Sequence, residues 1–185
     1  MSWTSTRHRY ALAPPAGEPM DTAEAQAALA RQWLAVFGPA SADLIGDLKW
    51  WAGWTVAATT RALAAAGDVP TAGPGDPGPW VALVPSLDPT TMGWKHRSWY
   101  LGDLRTRLFD RNGNAGPAIW CSGRVVGGWA QRSTGEVVTR LLVDLGSDMI
   151  AAVEAEAARL QTWLDGSGAI VKPRFPTPLH KELAA

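Results

Sequence analysis

The stretch from Leu108 to Val143 constrains the fold more than any other part of the chain. Its apolar runs, rich in Val, Ile and Trp, are separated by short turn signals: Asn112-Gly113, Ser122-Gly123 and Ser133-Thr134-Gly135. Asn-Gly supplies the positive φ angles that a tight turn needs, and apolar runs between such turns read as strands of a β-meander. A meander of this kind makes a sheet that the remaining segments must cover.

The 185 residues are 46% hydrophobic and 18% charged, the balance of a soluble globular chain. A single cysteine, Cys121, excludes a disulfide framework and a cysteine zinc cage, and reads as a small buried thiol in a reducing compartment. His8, His96 and His180 stand far apart, so no metal site is expected. There is no signal-peptide core and no run of about 18 apolar residues, which points to a cytoplasmic protein with no membrane partner. The formal net charge is zero, but it is unevenly spread. Between Thr91 and Arg140 eight basic residues face only Asp103, Asp110 and Glu136, a local balance of +5. Such a split can make one face basic, as phosphate contact requires.

Taken in order, residues 1–20 read as a tail. Asp21 caps a helix whose apolar residues keep helical spacing to Phe37 and stop at Gly38-Pro39; Ser41 caps a second helix ending at Gly53; and Thr55 caps a third that ends at Gly67. The order is that of a helix-turn-helix, here a degenerate winged-helix unit over 21–66. Residues 67–79 are a Pro/Gly linker with no period-2 pattern, so no paired wing is expected there. From 80 to 179 the pattern predicts an α+β domain: a buried strand at Trp80 to Val84, a loop-rich stretch, the meander as a small mostly antiparallel sheet or barrel, a long helix from Ser147 to Gly166 covering it, and a further strand over Ala169 to Phe175. Residues 180–185 read as a tail.

Eleven tryptophans are far more than usual, and Trp50, Trp51 and Trp54 cluster at the break before the third helix. Aromatic rings can stack on unpaired bases, although buried core area is their commoner use. Asp110, Asn112 and Asn114 alternate as in a calcium loop, but Ala115 and Cys121 stand where Gly and Glu are needed, so the segment reads as a turn. No phosphate loop, nucleophile elbow or dinucleotide fingerprint occurs, and no cofactor is expected. Asp88, Asp110 and Glu136 show no spacing that marks a catalytic pair.

Five blocks occur in sequence: Phe37-Gly-Pro-Ala-Ser41, Asp47-Leu-Lys-Trp-Trp-Ala-Gly-Trp54, Leu87-Asp-Pro-Thr-Thr-Met-Gly-Trp-Lys95, Leu108-Phe-Asp-Arg-Asn-Gly-Asn-Ala-Gly-Pro117 and Gly123-Arg-Val-Val-Gly-Gly-Trp-Ala-Gln131. Together they resemble the C-terminal half of the winged-helix AlkZ- and YcaQ-type DNA glycosylase family. The resemblance implies a DNA partner and a family chemistry, the removal of bulky alkylated bases or crosslinks by N-glycosidic cleavage. The family's catalytic Gln, apolar residue, Gln or Asp signature is absent, since Gln26, Gln32, Gln131 and Gln161 are followed two positions on by Ala28, Leu34, Ser133 and Trp163. No catalytic residue is therefore carried over, and a DNA-binding protein lacking the catalytic N-terminal part is expected, with weak, nonspecific contacts from Arg61, Lys95, Arg97, Arg111, Arg124 and Arg132. A missing N-terminal half is a further partner on this reading. The alternative is a non-enzymatic protein that captures a partner chain or ligand on its Trp-rich sheet.

Overall fold

Side-chain caps close the first helices. In the computed structural model, which describes residues 12, 17–38, 43–69 and 78–185, the Asp21 carboxylate accepts hydrogen bonds from the Ala23 and Glu24 N–H groups and opens α1 (Thr22–Phe37). Asp43 opens α2 (Leu44–Ala52) through the Gly46 N–H, and Thr55 opens α3 (Val56–Ala66) through the Ala58 N–H. Each cap satisfies an orphan donor at the helix start. Ser41, expected as the cap of α2, lies outside the described residues, as do 1–11 and 13–16 of the expected tail and 70–77 of the expected linker. Gly53 ends α2 in the left-handed conformation at φ 67°, which glycine adopts without a Cβ penalty.

The meander forms as part of a four-stranded antiparallel sheet. Its strands β1 (Val81–Val84), β2 (Ala118–Cys121), β3 (Arg124–Gln131) and β4 (Val137–Leu141) lie in that order. Ser122 at φ 45° and Gly123 at φ 85° make the β2–β3 turn, as a two-residue hairpin with the native strand twist demands. The sheet is open, with β1 and β4 as its edges, which corrects the barrel expectation. Four strands of this length enclose no lumen of their own, and helices cover the faces instead.

Other expectations change too. Leu108 ends a helical turn, α6 (Arg105–Leu108), and the Asn112-Gly113 turn joins only an isolated Phe109–Ala115 bridge. The loop-rich stretch also contains the single-turn helices α4 (Pro89–Met92) and α5 (Ser98–Leu101). The strand expected over Ala169 to Phe175 does not form. In its place the Gln131 side chain donates to Ala169 O at 3.4 Å and accepts from Val171 N at 2.8 Å, so an amide does the work of a neighbouring strand, and Pro173 and Pro176 lack the donors a ladder needs. Residues expected as a tail belong to α8 (Pro178–Ala184), which Thr177 caps and which buries Leu179 and Leu183.

One face of the sheet, with Trp120, Val125 and Ala130, packs against Tyr100, Leu101, Leu108, Leu179 and Leu183, and the same buried cluster runs on into Trp33, Leu34, Leu48 and Ala62 of the helical unit. The other face, with Ile119, Cys121, Val126 and Trp129, is covered by α7 (Ser147–Ser167) through Val153. A bulge between Ile119 and Trp120 shifts the register where β2 meets β3. Rings link the helical unit to the sheet: Trp94 meets Phe37 edge-on at 5.3 Å and Tyr100 at 5.5 Å, and Tyr100 stacks on Trp120 at 4.9 Å. The indole N–H groups of Trp120 and Trp129 donate to Thr91 Oγ1 and Val84 O. The sheet tryptophans are thus core residues, 2% and 3% exposed, and the alternative of a Trp-lined binding sheet is corrected: its rings are spent on packing. Among the described residues no helix is long and apolar enough to cross a membrane.

Candidate nucleic-acid interface

Three short segments converge on the side of the sheet that packs against Leu108 and Leu179. α6 delivers Arg105, the turn after Phe109 delivers Arg111 and Asn112, and the Arg174–Pro176 segment with the start of α8 delivers Arg174 and Lys181; together they line an open groove of about 730 Å³. Its lining contains four cations and one carboxylate, Asp110. Asp110 is occupied in building the turn: Oδ1 accepts the Asn112 N–H at 2.8 Å and the Asn114 N–H at 2.9 Å, and Oδ2 accepts the Asn114 side-chain amide at 2.8 Å. The Asn114 side-chain bond, followed by its backbone bond, holds the Asp110 carboxyl below the usual carboxylate range. The wall formed by α8 is fixed from outside, because Glu182 accepts from Arg107 at 2.6 Å and also from Arg140. Several guanidinium groups and an ammonium on an open polar groove suit a chain of phosphates, which guanidinium forks can bind bidentately.

Of the six residues singled out from the sequence, only Arg111 lines this groove. Arg61 is exposed on α3, and Lys95 is exposed in the loop after α4, where its backbone N–H donates to Asp47 Oδ1 at 2.8 Å. Arg124 stands at the Ser122-Gly123 hairpin, at the far end of β2 from the Asp110 turn. Arg132 is engaged with Glu136 at 2.7 Å and with Leu183 O at 3.4 Å. Arg97 needs correction as a surface contact: it is only 9% exposed, with its guanidinium lying over both Trp50 and Phe109, and desolvation by burial pushes its pKa down. Arg105, Arg174 and Lys181 are the groove residues that spacing in the sequence does not pick out. Arg174 and Lys181 fall in segments that read as a strand and a tail, and only the Pro178 N1 position after Thr177 signals the helix that brings Lys181 to the groove.

His180 sits half-buried in α8, and its Nδ1 is buried with no hydrogen-bond partner among the described residues. Burial pushes its pKa below the ordinary value of 6.5. The folded state thus favours the neutral ring, so this stabilisation is complete above pH 6.5 and is lost as pH falls below it, where only the unfolded chain takes up the proton. Thermal melts are expected to fall between neutral pH and pH 5 in the wild type and to flatten over that range in His180→Leu. The carboxylates held below their ordinary values, Asp43, Asp110 and Glu156, act in a more acidic window.

Comparison with known proteins adds a family and a fold. A family model described as DNA glycosylase AlkZ-like matches residues 1–163. Among solved structures, the Streptomyces sahachiroi DNA glycosylase AlkZ matches with a TM-score of 0.65 at 21% identity, over 85% of this chain and 47% of that one. The chain spans about half the length of that structure, and the likeness is one of fold. No curated protein matches. Arg105 and Arg111 fall inside the family match; Arg174 and Lys181 lie beyond it.

Proposed function

Because the chain belongs to the AlkZ-like DNA glycosylase family, we propose that it is a DNA-binding unit of alkylation or crosslink repair that holds duplex through its phosphates and does not excise bases by itself. The groove of Arg105, Arg111, Arg174 and Lys181 carries this reading. Its cations come from three segments that the fold brings together, and the one carboxylate among them is bound up in a turn. The helix-turn-helix order of α2 and α3, with the exposed Arg61, supports a second and weaker line of contact. With no recognition of base edges in this arrangement, binding is electrostatic and tolerant of sequence.

Titration of a labelled duplex at several salt concentrations tests the reading. Each phosphate neutralised contributes about −0.9 to the slope of log affinity against log salt, so the four groove cations give a slope of about −3 to −4. The double variant Arg105→Ala/Lys181→Ala is expected to make that slope shallower by nearly two and to weaken low-salt binding for all sequences alike. No binding at low salt, or a slope indifferent to these two residues, would remove the proposal.

A further inference from the structure

Beside the basic groove, a buried cation fixes an exposed tryptophan. The Arg97 guanidinium carbon lies 5.1 Å from the ring centroid of Trp50 and 5.1 Å from that of Phe109. One cation lies over both rings, and Phe109 also lines the groove. Trp50, at the other end of this stack, is 42% exposed. Arg97 carries a second signal, because its Nε and Nη2 are buried with no hydrogen-bond partner among the described residues. Donors left unpaired away from water are costly, and the ring faces of Trp50 and Phe109, with the Tyr100 hydroxyl and the Asp47 carboxylate, are what favour the cation there. Arg97 follows the loop whose Lys95 and His96 N–H groups donate to the fully buried Asp47 of α2, at 2.8 and 3.1 Å, and Trp50 sits on that same helix. The ring is therefore held from its own helix and from the groove side. Trp51 and Trp99 are as exposed, but they contact Phe37, Trp94 and Tyr100, none of which lines the groove.

We propose that Trp50 is a stacking platform for an unpaired nucleobase whose neighbouring phosphates lie in the basic groove, so that the chain prefers DNA with an unstacked base to perfect duplex. The inference rests on the DNA-binding reading above. A rigid aromatic face held by a cation next to a phosphate track is the combination that binders of unpaired nucleotides use, and stacking tolerates any base because every base has a π-face.

The test uses two labelled duplexes identical except for one bulged nucleotide, with binding followed by anisotropy at fixed salt. The wild type is expected to bind the bulged probe more tightly. Trp50→Ala should weaken bulged-probe binding about 5-fold to 150-fold, the range base–aromatic stacking supplies, and leave the paired duplex and the salt slope unchanged. Trp50→Phe should restore most of the difference, and Arg105→Glu should weaken both probes together. Equal affinity of the wild type for the two probes, or a Trp50→Ala effect that is absent or equal on both, overturns the inference. So does a Trp50→Ala variant that loses thermal stability and both affinities in parallel. If the wild type binds neither probe at low salt, the DNA-binding reading fails and this inference with it; normal duplex binding that ignores Trp50 sinks the inference alone.

Discussion

Replacing Gly127 by alanine is expected to destabilise the protein by about 3 kcal/mol or more, the top of the range for overpacking a well-packed site. A Cβ at this position meets Arg140 O at 2.1 Å, with the Arg140 carbonyl carbon and Leu141 Cα at 3.0 Å. All three are backbone atoms of the neighbouring strand, so no rotamer change relieves the contact, and β3 must part from β4 where Gly127 pairs with Leu141. Gly128 is restricted from the other side, since its Cβ meets Leu179 of α8 at 2.8 Å and Pro117 O at 2.9 Å. One glycine lets two strands approach, and the next lets a helix sit on the sheet. The same substitution at Gly166, near the end of α7 with nothing within 4 Å of the added carbon, is expected to stabilise by about 0.5–1 kcal/mol, because alanine lowers the entropy cost of forming the helix. For a chain of this length the two changes move the melting temperature in opposite directions, by about 2–4 °C per kcal/mol. Gly127→Ala melting within a degree of the wild type would mean that the close approach of β3 and β4 is not what holds the sheet.

Those glycines show what the sequence reveals and what it hides. Turns and caps are local, so Asp21, Thr55, Gly53 and Ser122-Gly123 act where their residue types predict, and the meander appears with them. The closure of the sheet is not local: whether β4 returns to β1 depends on strand number and on what covers the edges, and no residue announces it. The missing strand after α7 has the same cause, because Gln131 satisfies Ala169 and Val171 from 38 and 40 residues away. Local charge balance locates the basic region but not the groove. Of the cations between Thr91 and Arg140, Arg107, Arg132 and Arg140 end in ion pairs with glutamates and Arg97 is drawn inward by two rings. The groove is completed by Arg174 and Lys181, which lie outside that window and reach it only because α8 docks Leu179 and Leu183 onto the sheet. A side chain's role in such a site follows from what the fold sets opposite it, which spacing in the sequence does not contain.

Incubated with duplex carrying a bulky N7-alkylguanine, the chain by itself is expected to release the base no faster than a protein-free control. Breaking an N-glycosidic bond in an enzyme takes a group that positions water and stabilises the positive charge developing on the sugar, and a positioned acid or base of this kind typically contributes about 10²–10⁴-fold. Four carboxylates of the helical unit and the sheet region are committed elsewhere. Asp88 caps α4 through the Thr90 N–H at 2.8 Å, Asp110 closes its turn, Glu136 pairs with Arg132, and the fully buried Asp47 accepts two backbone N–H groups. Two of the glutamines are committed as well. Gln131 bonds to Gly135, Ala169 and Val171, while Gln161 accepts the Val137 N–H at 2.6 Å and donates to Gly135 O and Asp165. Holding phosphates in a groove binds ground state and transition state alike, and uniform binding of that sort does not speed the chemical step. Base treatment after incubation converts abasic sites into strand breaks, so the readout is direct. Breaks accumulating over many turnovers would refute the expectation and send mutagenesis first to Asp88, Asp110 and Glu136; low-salt binding with no breaks above the control would mean that this chain supplies the grip on DNA and that the reacting groups must come from elsewhere.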